Sequence, residues 1–304
     1  MQRSKERNTF GPSPFPHLEL FSFSPLRERA GERGVHKNMQ VRNQITVRIT
    51  WAFFLLMLCM PLSLLAQTQP AAPSAAETLL KKPSDFRSRA EIRNEYQDLE
   101  GDGYRNLVIP RVEYAVTPAV ALRFDMPYVT YDPGDGGERV SGQGDLLARI
   151  AWRAVQREGS ALILVTEVFF DTADDPRLGQ GKTVVAPLVY AAIDVPKHDS
   201  VFFPNVQHYF SVAGDENRPD VNFTVLKPNL LTRWPDKIYT FLEPQFTIDW
   251  ERDAKVGLTV ELEIGKILSR NIAAWARPGI GLINKYELPQ VYNWNLEVGM
   301  RYIF

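Results

Sequence analysis

Over the last twelve residues, apolar and polar positions alternate. Trp294, Leu296, Val298, Met300, Tyr302 and Phe304 share one parity, and Asn293, Asn295, Glu297, Gly299 and Arg301 share the other, with Ile303 the one apolar exception. A period of two puts these sets on opposite faces of a strand. The same alternation recurs upstream. Val120, Leu122, Phe124, Met126 and Tyr128 interleave with Ala121, Arg123, Asp125 and Pro127, and Val256, Leu258, Val260, Leu262 and Ile264 with Thr259, Glu261 and Glu263. From Phe86 onward the pattern predicts twelve segments, near 88–98, 104–116, 120–131, 144–155, 160–172, 183–195, 201–213, 221–233, 238–250, 256–267, 272–284 and 293–304. One face is nearly free of charge and the other carries the charges. Strands of a soluble sandwich mostly run five or six residues, whereas a tilted membrane strand needs about ten. The expected fold is all-β: a transmembrane antiparallel up-and-down β-barrel of about 12 strands over 86–304.

Connections sharpen this expectation. Short ones (117–119, 156–159, 196–200, 234–237 and 268–271) alternate with longer ones (132–143, 173–182, 214–220 and 285–292), although 99–103 and 251–255 are short as well. Short periplasmic turns and longer outer loops are the asymmetry of outer-membrane barrels. Aromatics gather near predicted strand ends, as two interfacial girdles would require: Tyr128, Trp250 and Trp294 on the loop side, and Trp152, Trp234, Tyr302 and Phe304 on the turn side. Against the pattern stand Pro110, Pro127, Pro187, Pro204, Pro228, Pro244 and Pro278, all inside segments. Proline cannot donate to a ladder, so these positions imply bulges or locally opened pairs, and they keep a sandwich or open sheet as the alternative.

The amino-terminal third reads differently. Residues 1–38 are rich in Arg, Pro, Ser and Gly and read as a miscalled extension. Met39 opens a signal peptide over 39–66, with Arg42 and Arg48 before an apolar core from Trp51 to Leu65 and a small Ala66 before the cut. Residues 67–85 read as a flexible periplasmic lead-in. The single cysteine, Cys59, falls in the signal, so no disulfide framework is expected after it. A formal net charge of −1 argues against a nucleic-acid partner.

The odd positions would face the interior. Candidate lumen-lining residues are Arg93, Arg111, Arg123, Asp125, Arg149, Arg153, Glu167, Glu243, Glu261, Arg277, Glu297 and Arg301, with Phe169, Tyr209, Phe241 and Trp275 as inward apolar contacts. Such a lining suits a hydrated passage for a small solute; equally, it suits a paired network that fills the barrel. Catalysis is not supported, because His208 and Ser211 fall on opposite faces, the wrong parity for a base and its nucleophile. Gly179-Gln-Gly-Lys-Thr183 lacks the first glycine of a phosphate loop, having Pro176 in its place. No metal-ligand spacing and no cofactor motif is present.

The stretch Gly142-Gln-Gly-Asp-Leu-Leu-Ala-Arg149, then Leu162–Phe170, then Gly179-Gln-Gly-Lys-Thr-Val-Val-Ala-Pro187, resembles the outer-membrane barrels named for the meta-pathway of phenol degradation. Lys227-Pro-Asn229, Glu243-Pro244 and Ile248-Asp249 resemble the later strands of that group. The resemblance covers roughly 86–304. It implies a transporter-like barrel for hydrophobic or aromatic compounds in the cell outer membrane, and it supplies no catalytic residues. The partners expected are outer-membrane lipid, the barrel-assembly machinery reading the carboxyl-terminal strand, and an unnamed small solute. The alternative function is a non-conducting structural or adhesive barrel acting through its loops.

Overall fold

The computed structural model describes Ala76 and residues 84–304 apart from Tyr286. The extension, the signal peptide and most of the lead-in lie outside the described residues.

Alternation produces strands throughout: β1 (Arg89–Asp98), β2 (Tyr104–Thr117), β3 (Val120–Asp125), β4 (Tyr128–Asp132), β5 (Val140–Gln143), β6 (Leu146–Arg157), β7 (Ser160–Phe170), β8 (Lys182–Val195), β9 (Ser200–Gly214), β10 (Asn222–Arg233), β11 (Ile238–Asp249), β12 (Lys255–Ile267), β13 (Ile272–Ile283) and β14 (Trp294–Ile303). All pair antiparallel. β2 pairs with both β3 and β4, which are two halves of one stave interrupted at Met126-Pro127. β5 and β6 are likewise halves of one stave, interrupted at Gly144-Asp145. The fourteen segments therefore make a barrel of twelve staves, closed where β1 pairs with both β14 and β2. These staves coincide with the twelve predicted segments. Within the expected 132–143 connection, β5 adds an outer hairpin with β4. We term the rim with the short turns and both ends of the sheet periplasmic, and the opposite rim outer.

Parity separates the two surfaces. Trp294, Leu296, Val298, Met300, Tyr302 and Phe304 are exposed, while Asn295 and Glu297 between them are buried. Odd positions face inward on every stave except β8 and the short β5, where Gly142 is buried beside Val129 and Ser141 is exposed. On β8 the parity inverts: Val184, Ala186 and Ala192 are buried, and Val189 and Ile193 are exposed. The expectation that odd positions face inward is therefore corrected for this strand. Strand phase after a connection depends on how many residues the connection holds, and a period of two reveals parity only within a strand. Asp171 is also exposed at the outer rim rather than lumenal, because β7 ends at Phe170.

The prolines follow a rule of antiparallel ladders. Each residue points its N–H and C=O at one neighbour strand, and successive residues alternate between neighbours. Pro204 on β9 pairs with Pro228 on β10, and the β9–β10 register is unbroken there. Their missing donors therefore fall on the outer sides of this pair, against β8 and β11. There the ladder lapses: the β8–β9 register skips from Tyr190↔Asn205 to Ile193↔Phe202, and the β10–β11 register skips from Leu226↔Phe246 to Leu230↔Leu242. Carrying the latter register through sets Pro244 opposite Pro228. Three prolines thus line up across three adjacent staves, and the wall loses its hydrogen bonds beside them.

The two glycine motifs that carry the family resemblance clasp one another. Asp145 accepts hydrogen bonds from the backbone N–H groups of Gln180 (2.7 Å), Thr172 (3.2 Å) and Ala173 (3.2 Å). A side chain at Gly179 would place its Cβ 2.5 Å from Asp145 Oδ1, so only glycine admits this approach. Asp174 completes the clasp by accepting from the Gln143 N–H at 2.8 Å. Farther along the same loop, hydrogen bonds from Arg177 hold the Asp175 carboxyl below its usual range.

Candidate functional site: the lumen and the wall beside it

Charge and apolarity divide the interior into two flanks. A chain of ion pairs runs along the first, from β12 through β14, β1, β2 and β3 to β6 and β7. Arg301 bridges Glu263 (3.4 Å) and Glu91 (3.5 Å), and Arg111 bridges Glu91 (3.3 Å) and Asp125 (2.8 Å). Arg123 bridges Asp125 (3.0 Å) and Glu167 (3.5 Å), and Arg149 ends the chain on Glu167 at 3.7 Å. Branches add Arg93 to Glu297 at 2.9 Å and Arg277 to Glu261, Glu263 and Glu297. Alternation put these charges inside, and burial obliges them to pair.

The second flank, β8 to β11, is apolar and aromatic at its periplasmic end. Val201, Phe203, Leu231 and Tyr239 join Ile163, Val165 and four alanines in one buried cluster, with Leu188, Tyr190 and Phe241 packed against it. Higher up, Tyr209 stacks on Phe223 with ring centroids 4.3 Å apart, and Phe169 lies 6.0 Å away. Trp275 belongs to the charged flank instead: its indole N–H donates to Glu297 at 2.7 Å, and Arg301 lies over its ring.

Two cavities, one lumenal and one opening on the wall, share the lining residue Lys227. The first, about 310 Å³, occupies the outer half of the lumen. Arg93, Glu95, Arg105, Glu243, Glu261 and Arg277 line it, and Pro289, Gln290 and Tyr292 roof it. The roof is the expected outer loop 285–292, folded inward. Leu288, Val291 and Tyr292 are buried, and the Tyr292 hydroxyl donates to Glu261. The second cavity, about 530 Å³, lies at the proline row. Its lining mixes lipid-facing Leu162, Val189, Val206, Leu226 and Phe246 with inward-facing Tyr190 and Lys227. Lys227 borders both cavities, held to Glu243 by a 2.8 Å ion pair. Sequence reading missed Lys227 and the wall cavity. The prolines were the available signal, but without strand register nothing aligned them.

Of the candidate lumen-lining residues, Arg93, Arg111, Arg123, Asp125, Arg149, Glu167, Glu261, Arg277, Glu297 and Arg301 lie in the ion-pair network. Glu243 sits beside Lys227, and Arg153 stands apart at the periplasmic end, bound to Asp85. The girdle candidates Tyr128, Trp152, Trp234, Trp250, Trp294, Tyr302 and Phe304 are all exposed on the outer surface. His208 bonds Thr224 Oγ1 at 3.0 Å, whereas Ser211 donates to Asp220, so the two make no base–nucleophile pair with each other. Among the described residues, no group of three or more His, Cys, Asp or Glu is arranged to hold a metal ion.

No family model and no curated protein matches this chain. Solved structures do. The COG4313 outer membrane channel from Pseudomonas putida F1 aligns with a TM-score of 0.57 at 14% identity, over 78% of this chain and 100% of that one. The NanC porin aligns with a TM-score of 0.53 at 9% identity, over 70% of this chain and 98% of that one. Likeness at this identity speaks for the fold, and it agrees with the apolar belt and polar interior described above. The chain is an outer-membrane β-barrel with the closed antiparallel fold of porin-like channels.

Proposed function

We propose that the barrel passes small solutes across the outer membrane passively, and that apolar or aromatic solutes leave it sideways through the wall. The observation that carries this reading is that Lys227 lines both the lumenal cavity and the wall cavity. A polar solute finds donors and acceptors in the first cavity. An apolar one finds aliphatic and aromatic walls in the second, at a place where the ladder is already open. The resemblance to barrels named for phenol degradation agrees with an aromatic cargo. The candidate lumen and girdle residues take their parts on this reading, the former as the lining of the path and the latter as anchors at the two interfaces. Lipid surrounds the barrel, and the assembly machinery is expected to read β14.

Two measurements test it. Protein reconstituted in planar bilayers is expected to give small discrete openings whose ion selectivity shifts in Arg149→Gln. Uptake of a monoaromatic hydrocarbon into cells is expected to fall in Val206→Trp and Leu226→Trp, which fill the wall cavity, with ion currents unchanged. A folded barrel that carries neither ions nor the hydrocarbon would favour the structural or adhesive alternative. Uptake indifferent to both tryptophans would remove the sideways route alone.

A further inference from the structure

The chain entering β1 does not stay outside the barrel. Carried back from β1, the parity would send Phe86 outward with Ala90 and Ile92. Instead Phe86 is 8% exposed and belongs to the inward apolar cluster of the periplasmic half. That cluster is walled by Ala121 on β3, Ala151 on β6, Ala161 on β7 and Ala192 on β8, four small residues that leave room for one large ring. The approach to Phe86 is pinned. Its N–H donates to the Pro118 carbonyl (3.2 Å) in the β2–β3 turn. The Arg153 guanidinium donates to the Ser84 carbonyl (3.1 Å) and binds the Asp85 carboxylate. A second pin stands across the ring: the Ala76 N–H donates to the Arg270 carbonyl (3.1 Å) in the β12–β13 turn, and Ala76 packs with Ile267, Ala273 and Ile303. In stave order, β6 and the β12–β13 turn are on opposite sides of the barrel.

We propose that residues 84–87 form a plug, hinged at Ser88, that shuts the axial route from the lumen to the periplasm. Among the described residues, the contacts of 84–87 are one ring in an apolar socket, one ion pair and two hydrogen bonds through the backbone. Ser88, by contrast, is already tied to both neighbours, its hydroxyl accepting from the Ala115 N–H (3.1 Å) and its carbonyl from the Phe304 N–H (3.0 Å). A barrel stave is paired on both sides along most of its length, even where the β8–β9 and β10–β11 ladders lapse, so the plug is the element that can leave while the barrel stays closed. With the plug seated, the wall cavity is the remaining way out of the lumen; with it withdrawn, the axis opens. This inference rests on the reading of the lumen as a solute path.

The test uses protein purified from outer membranes, with folding checked by heat-modifiable mobility. Phe86→Gly is expected to raise mean conductance several-fold over the natural protein, and Arg153→Gln to raise it less. In a Cys59→Ser background, Asp85→Cys with Arg153→Cys is expected to lower conductance when oxidised and restore it on reduction. A second readout does not depend on current. A cysteine replacing Ala151 is expected to react with a membrane-impermeant maleimide added from the periplasmic side in Phe86→Gly barrels, and to be protected when Phe86 is present. Folded Phe86→Gly barrels with natural currents and natural protection would overturn the plug and leave the pore reading standing. Silence in every variant, with labelling still dependent on Phe86, would keep the plug and overturn the pore reading.

Discussion

Glu91 shows what a single buried charge does here. Its carboxylate meets Arg89 (3.0 Å), Arg111 (3.3 Å) and Arg301 (3.5 Å), and its side chain is almost wholly withdrawn from solvent. Removing that charge leaves three guanidinium groups facing one another with less to balance them. Glu91→Gln is expected to cost about 3 kcal/mol, the usual result of breaking a buried pair from one side, read as a lower urea midpoint in vesicles. Replacing several members of the chain together by apolar residues is expected to cost less than the sum of the singles. Glycines matter for a different reason. Trp275 and Gly299 are register partners, and a Cβ at Gly299 would lie 2.3 Å from the indole ring. Gly299→Ala is expected to destabilise the barrel by about 1–3 kcal/mol, as overpacking does, and to shift the Trp275 emission. The charges were legible in the sequence as an inward set, because alternation assigns a face. Their pairing was not, since Arg301 finds Glu91 only once the ring has closed. Phe86 shows the limit in the other direction: its parity pointed outward, and only the socket of alanines across the lumen explains why it turns in.

At the scale of elements, the sequence predicted every stave, because ten or more residues of strict alternation leave little else to form. It could not set the phase of one stave against the next, and β8 inverted for that reason. It also showed the prolines without showing their alignment. That alignment supports a prediction: Pro228→Ala with Pro244→Ala supplies two donors to the lapsed β10–β11 ladder. The pair is expected to raise the unfolding midpoint, slow amide exchange at Leu226 and Leu230, and reduce hydrocarbon uptake. Unchanged exchange would mean that the prolines are not what holds the ladder open. The glycine motifs gave a resemblance in the sequence but no mechanics. The structure makes Asp145 the latch of the loop between β7 and β8, so Asp145→Ala is expected to speed exchange at Thr172, Ala173 and Gln180 while leaving the staves protected.

For the whole molecule, the division of the interior into two flanks has a mechanical consequence. Along one flank, ion pairs tie neighbouring staves together in addition to their ladders. Along the other, between β8 and β11, the inward side chains touch mainly through apolar packing, with the Lys227–Glu243 pair as an exception, and the ladder is missing beside Pro204, Pro228 and Pro244. The barrel is therefore a ring of uneven stiffness. When bilayer thickness or lateral pressure changes, the strain will collect in the compliant arc while the charged arc moves as a rigid shell. On the sideways route proposed above, the lipid around the protein is therefore expected to control the width of the exit, with no ligand needed.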